Sequence, residues 1–210
     1  MKIISHRGYW RHPEEKNAKI AFDRSFSLGF GTETDIRDYC EELVISHDIP
    51  TKKSTPFSDF LANATAKFVG DGHLTLALNV KADGLADKMA GALNQYKGLD
   101  PFVFDMSVPD MRSYFDAGIP VFTRLSEVEK NPVWIERSAG VWLDGFESEW
   151  YAKSVIEDLL MQGKRVCIVS PELHRREYHE LWRKIKAISS SEKLILCTDV
   201  PEVAAEFFHR

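Results

Sequence analysis

The chain has 210 residues, 44% of them hydrophobic, and a net charge of −5. That is enough to bury the core of one domain of the larger single-core kind. The acidic balance supplies no basic field for nucleic acid, and no run approaches the ~20 apolar residues that cross a bilayer. Cys40, Cys167 and Cys197 are odd in number and lack framework spacing, so they read as buried free thiols. The first strand-like run begins at Lys2, which leaves no room for a signal peptide and sets a cytoplasmic expectation.

Short apolar or β-branched runs predict strands at 2–5, 31–35, 43–47, 74–80, 102–105, 121–123, 140–144, 166–169 and 194–198. Helical periodicity fills the intervals. Ala21, Phe22, Ser25, Leu28 and Gly29 form one face of the first helix, and a further helix falls near 57–66. Leu85, Met89, Leu93 and Tyr96 stripe the next, and Val155, Ile156, Leu159 and Leu160 stripe a later one that Gly163 should cap. Tyr178, Leu181, Trp182, Ile185 and Ile188 stripe the seventh, whose basic residues read as a solvated face. Ser126-Glu127-Val128-Glu129 reads as a capping box opening a short fifth helix before Pro132. Strands alternating with helices imply parallel βαβ units, and eight such units in this length predict a single small (β/α)8 TIM barrel of α/β class over residues 1–210. The 43–47 run is expected to pair as a hairpin extension of the second strand, with no linker or repeat dividing the chain.

Chemistry-bearing residues sit at strand ends. His6-Arg7-Gly8 follows the first strand, Glu33-Thr34-Asp35 ends the second, and His47-Asp48 ends the hairpin. Residues i and i+2 of a strand share a face, so Glu33 and Asp35 can grip one hard cation. Arg7 can fork onto phosphate oxygens, and Lys81 can add a point charge. A free imidazole changes charge near neutral pH, so histidine is a residue type suited to a proton-transfer pair. Together these are the parts of a metal-assisted phosphodiester cleavage site at the C-terminal rim of a barrel.

The blocks His6-Arg7-Gly8, Pro13-Glu14-Glu15-Lys16-Asn17 with Ala21-Phe22, Glu33-Thr34-Asp35-Ile36-Arg37-Asp38 and Val44-Ile45-Ser46-His47-Asp48 resemble the glycerophosphodiester phosphodiesterase family, within the phosphatidylinositol phospholipase C-like superfamily. Leu78-Asn79-Val80-Lys81 and Cys197-Thr198-Asp199-Val200-Pro201 extend the resemblance. It implies a TIM barrel, His6 and His47 as the acid/base pair, and Glu33 and Asp35 as metal ligands. Asn79 joins them as a third oxygen ligand, for one Mg²⁺ or Ca²⁺, and Arg7 and Lys81 take the substrate phosphate.

Two departures bear on that expectation. The family's Glu-x-Lys motif is Asn79-Val80-Lys81 here, so the site loses one negative charge and should bind metal more weakly. The small subdomain that the family inserts after His47-Asp48 is missing, which should leave the cleft open on one side and puts glycerophosphodiester itself in doubt as substrate. Later strand ends add Asp105, Asp144 and Glu172, with Trp142 and Trp150 nearby, as substrate-pocket candidates. The expected activity is a divalent-metal-dependent phosphodiesterase acting on a small alcohol- or sugar-linked phosphodiester, with no protein partner implied. The alternative is a non-catalytic phosphate- or head-group-binding barrel with a weakened metal site. Glycoside hydrolysis fails because Glu33 and Asp35 lie on one strand rather than on opposite sides of a sugar.

Overall fold

Apolar runs too short for helices become strands, and the striped segments between them pack outside as helices. The computed structural model describes residues 1–69 and 72–209. In chain order the elements are β1 (Lys2–His6), α1 (Lys19–Ser27), β2 (Gly31–Tyr39), β3 (Glu42–Ile45), β4 (Thr55–Pro56), α2 (Phe57–Lys67), β5 (Leu74–Val80), α3 (Ala86–Leu93) and β6 (Leu99–Phe104). They continue with α4 (Met111–Asp116), β7 (Phe122–Leu125), β8 (Gly140–Leu143), α5 (Lys153–Met161), β9 (Arg165–Val169), α6 (His179–Lys186), β10 (Leu194–Thr198) and α7 (Pro201–His209). Among the described residues no helix is long and apolar enough to cross a membrane.

β1 pairs in parallel with β2 and β10, β2 with β5, and β5 with β6. β7, β8, β9 and β10 pair in parallel in sequence order. Between β6 and β7 there is one parallel bridge, Val103–Val121, beside a 2.9 Å bond from Val103 N–H to the Pro120 carbonyl. The sheet is not wholly parallel, because β3 runs antiparallel to β2 and β4 antiparallel to β3. Cys40 and Glu41, at φ 48° and 69°, form a two-residue turn of the left-handed kind that matches strand twist, with Tyr39 opposite Glu42. That turn carries Cys40 to the surface, so only Cys167 and Cys197 fit the expected buried thiols.

The expected fifth helix does not form. Ser126 Oγ accepts the Glu129 N–H at 3.1 Å, as a capping box would, but Pro132 follows before a second turn can close. Residues 126–139 therefore link β7 to β8 without an α-helix. Leu28, expected on the buried face of α1, is half exposed, and Phe26 takes that place.

Inside the sheet, Phe102 stacks on Phe122 and Phe104 on Trp142, each pair with ring centroids 3.8 Å apart. Gly140 makes room for this stack, since a Cβ there would lie 2.5 Å from the Phe122 ring. Outside, Phe22, Phe26 and Phe60 pack between α1 and α2, and Trp182 of α6 is buried against Phe207 and Phe208 of α7. At the N-terminal end of the strands, Asp100 takes two bonds from Arg165 at 2.9 and 2.6 Å, one from Lys2 at 2.9 Å and one from Thr75 at 3.0 Å.

Burial alone would raise the Asp100 carboxyl, but Lys2 and Arg165 outweigh it and hold it below the usual 3.8. Asp100→Asn should therefore cost about 2 kcal/mol at neutral pH, since Arg165 loses its bidentate partner while solvent still reaches the group. A carboxyl depressed on folding contributes stability above its unfolded value that is lost as pH falls through the folded one. Urea denaturation should show the gap between wild type and variant constant above pH 4 and shrinking below it.

Candidate active site

Register across β1, β2 and β5 assembles the site. His6 lies opposite Glu33, and Asp35 opposite Asn79. Paired residues of parallel strands share a face, as do Glu33 and Asp35 by alternation, so all four side chains sit together at the C-terminal ends of the strands. Glu33, Asp35 and Asn79 are buried.

β1 ends by turning sharply. Arg7 and Gly8 are both left-handed, at φ 57° and 81°, and a Cβ on Gly8 would lie 2.7 Å from that of Ala21. Glycine is required there by both conformation and space. The Arg7 N–H bonds the Glu33 carbonyl at 3.0 Å, and the Gly8 N–H bonds Thr32 Oγ1 at 2.9 Å, so the turn is fastened to β2.

His6 Nδ1 lies 2.8 Å from Asp199 Oδ1, and its Nε2 lies 4.0 Å from Glu33 Oε2. Trp10 Nε1–H donates to the His6 carbonyl at 3.1 Å and to Asp199 Oδ1 at 3.2 Å, holding both groups in place. Burial pushes the His6 imidazole below the usual 6.5, while the bond to Asp199 and its charge pull it back upward. For Glu33, burial first and the charge of Asp35 second hold the carboxyl well above the usual 4.5, with Arg7 and Lys81 opposing.

Asp35 is surrounded by donors. Arg7 Nε lies 3.2 Å from Oδ2, Asn17 Nδ2 donates to Oδ2 at 2.8 Å, and Lys81 Nζ lies 3.4 Å from Oδ1. Asn17 also accepts the Thr34 hydroxyl at 2.8 Å and sits at φ 59°, a conformation asparagine tolerates well. Asn79 Nδ2 donates to Asp105 Oδ2 at 3.2 Å, and Asp105 in turn grips the Arg124 guanidinium, whose Nε lies 2.9 Å from Oδ1.

Glu33 Oε2, Asp35 Oδ1 and Asn79 Oδ1 are buried without a hydrogen-bond partner. Glu33 Oε2 and Asn79 Oδ1 each cost about 1–3 kcal/mol, whereas Asp35 Oδ1 is offset in part by the Lys81 ammonium at 3.4 Å. Two carboxylate oxygens and an amide oxygen are the donors a hard cation prefers, so these residues fit Mg²⁺ or Ca²⁺. Among the described residues no group of three or more His, Cys, Asp or Glu is placed to hold a metal; the third donor here is the amide of Asn79.

His47 stands apart from the buried cluster. It is exposed, with Nδ1 2.9 Å from Asp48 Oδ1, and borders a surface hollow with Arg37, Ile49 and Lys81. Lys81 links that hollow to the Asp35 cluster. Of the later candidates, Asp105 joins the site through Asn79. Trp142 lies inside the sheet against Phe104. Asp144 bonds His174 Nε2 at 2.7 Å, and its carbonyl accepts Trp150 Nε1–H at 2.7 Å. Glu172 accepts the Thr198 hydroxyl and the Asp199 N–H, clasping the ends of β9 and β10.

Sequence reasoning gave no role to Asp199, Trp10, Asn17, Arg124 or His174. Asp199 and Arg124 were findable, since each lies two positions after an inward-facing apolar residue, Cys197 and Phe122. Trp10 and Asn17 reach the site through a loop whose path no periodicity encodes.

No family model and no curated protein sequence matches the chain. Solved structures do. A glycerophosphodiester phosphodiesterase from Agrobacterium tumefaciens str. C58 superposes with TM-score 0.71 at 14% identity, covering 100% of both chains. A glycerophosphoryl diester phosphodiesterase from Parabacteroides distasonis ATCC 8503 gives 0.56 at 15% identity, over 99% of this chain and 86% of that one. A Ca²⁺-dependent phosphatidylinositol-specific phospholipase C from Streptomyces antibioticus gives 0.59 at 10% identity, over 99% and 96%.

Asn17→Ala should remove a bond to a charged carboxylate and strand the Thr34 hydroxyl, for a loss of roughly 2–3 kcal/mol. Asn17→Gly, which keeps the left-handed backbone free of strain, should lose a similar amount if the side-chain bonds dominate. Chemical denaturation of both variants checks this. The chain has the TIM-barrel-type α/β fold seen in glycerophosphodiester phosphodiesterases and in a phosphatidylinositol-specific phospholipase C.

Proposed function

We propose that this chain is a phosphoric diester hydrolase of the glycerophosphodiester phosphodiesterase type. On this reading it cleaves an alcohol- or sugar-linked phosphodiester on a closed (β/α)8 barrel, assisted by one divalent cation. The observation that carries the reading is the cluster of buried oxygens of Glu33, Asp35 and Asn79, unbonded and flanked by His6, Arg7 and Lys81. Fold likeness to two phosphodiesterases and a Ca²⁺-dependent phospholipase C supports it. The Val103–Val121 bridge, lying where β6 meets β7, supports the closed barrel.

Glu33, Asp35 and Asn79 would hold Mg²⁺ or Ca²⁺. The ion's chemistry there is charge compensation on a non-bridging phosphate oxygen. Arg7 and Lys81 bind the remaining phosphate oxygens, exchanging part of their hold on Asp35 for the substrate. With Nδ1–H donated to Asp199, His6 presents a basic Nε2 and takes the proton from the attacking hydroxyl. His47, exposed on its loop, supplies a proton to the departing alkoxide.

A second reading keeps the same fold as a phosphate- or head-group-binding barrel without turnover. The pairing of Asp35 with both Arg7 and Lys81 favours it, since that arrangement already suits an anion more than a cation.

A panel of phosphodiesters assayed with and without EDTA separates the two. Turnover should vanish with chelator and return with Mg²⁺, Mn²⁺ or Ca²⁺. His6→Ala and His47→Ala should each lower kcat by roughly two to four orders of magnitude, and the double variant should fall by less than the product. Full turnover in verified chelation would remove the metal role, and a near-wild-type single variant would remove that imidazole. Binding of every panel member without cleavage would establish the second reading.

A further inference from the structure

Lys81 also opens onto a cavity of about 410 Å³ that the reading above leaves unused. It lies between the loop after β6 and the segment that replaces the missing helix after β7. One wall is Met106, Val108 and Met111, the other Pro132 and Val133, with Phe122 at the base. The Thr123 hydroxyl donates to the Val133 carbonyl at 2.9 Å and pins the second wall to the sheet. A helix packed over β7 would cover this space, and the Pro132 break leaves it open to the site.

Charge along the cavity is graded. At the inner end Lys81 and Arg124 are cations, but Arg124 is held by Asp105 and by Glu129, whose Oε2 lies 3.5 Å from its Nε. Beyond Lys81 the charges are thus paired, and the remaining lining combines the polar Thr123 and Asn131 with the apolar Met106, Val108, Met111, Phe122, Pro132 and Val133. At the outer lip Val108 and Val133 are 48% and 39% exposed. A second anion gains nothing from such a lining, whereas an uncharged apolar group is drawn from water at both lip and wall.

Resting on the phosphodiesterase reading for the position of the phosphate, we propose that this cavity receives the uncharged apolar substituent of the phosphodiester. The chain would then select an alkyl or aryl ester over one whose alcohol is charged, with the phosphate at Lys81 and the apolar group between Val108 and Val133.

Calorimetry with non-hydrolysable O-alkyl methylphosphonates, from methyl to hexyl and in the presence of Mg²⁺, tests this. Affinity should rise about threefold to fourfold for each added methylene until the cavity is full, then level off. Val108→Glu, at an exposed position that tolerates a polar side chain, should lower the hexyl-to-methyl affinity ratio by about tenfold or more, as a charge replaces apolar wall. Val108→Leu should keep the ratio. Equal affinities along the series, no binding of any member, or a ratio unmoved by Val108→Glu would each overturn the assignment. Turnover of methyl p-nitrophenyl phosphate is read separately. Its absence alongside chain-length-dependent binding would sink the phosphodiesterase reading alone, and its presence without such dependence would sink the cavity assignment alone.

Discussion

The register between β1 and β2 is the constraint on which the rest of the site depends, and a buried hydroxyl network holds it. Ser5 Oγ lies 2.7 Å from Ser25 Oγ and donates to Thr32 Oγ1 at 2.9 Å, while Thr32 Oγ1 accepts the Gly8 N–H at 2.9 Å. These groups face α1, the side opposite Glu33 and Asp35. A slip of one residue would turn both carboxylates into the aromatic layer under α1 and bring the hydroxyls inward. Every partner in the network would then be lost, at a cost paid on both faces of the strand. Polar groups on the outside of β2 therefore fix where its acidic groups stand on the inside.

Within the site the two carboxylates are not equivalent. Asp35 has two cations and an amide within reach, whereas for Glu33 the ion-pair partner among the described residues is the His6 ring at 4.0 Å, with Arg7 and Lys81 acting on it from farther away. Burial beside Asp35 disfavours charge on Glu33, which explains the upward displacement of its carboxyl. The His6–Asp199 bond belongs to the same arrangement. By anchoring Nδ1, Asp199 leaves Nε2 directed toward Glu33, so ring orientation and the environment of the unpaired carboxylate are set together.

Much of this was legible in the sequence, for a physical reason. Strands bury one or both faces and so carry unbroken apolar runs, and the reading of 74–80 and 194–198 agrees with β5 and β10 residue for residue. Alternation within 31–35 likewise puts Glu33 and Asp35 on one face. Failures came where local chemistry met a tertiary limit. Ser126 and Glu129 make the capping bond that the sequence implies, yet a helix needs several further residues to gain more than its nucleus costs, and Pro132 denies them. The hairpin after β2 is the one that the 43–47 run predicts, but the Cys40-Glu41 turn lacks the glycine or asparagine that announces a left-handed pair, so its two-residue tightness is not marked by composition. Asn17 and Trp10 reach Asp35 and Asp199 from a loop, where neither the 2-residue nor the 3.6-residue period applies.

The two ends of the sheet handle charge in opposite ways, and the contrast locates function better than either end alone. At the N-terminal end Asp100 is saturated by Arg165, Lys2 and Thr75. Such a group has no capacity left for a ligand, and its value lies in closing the end of the core. At the C-terminal end Glu33, Asp35 and Asn79 each keep an unbonded oxygen inside a layer otherwise closed by Phe104 and Trp142. Folding alone would remove those atoms or pair them, since each costs stability of the order of a full hydrogen bond. Their retention beside Arg7 and Lys81 concentrates unmet polar demand at one face of the molecule, where a ligand can satisfy what the protein's own side chains do not.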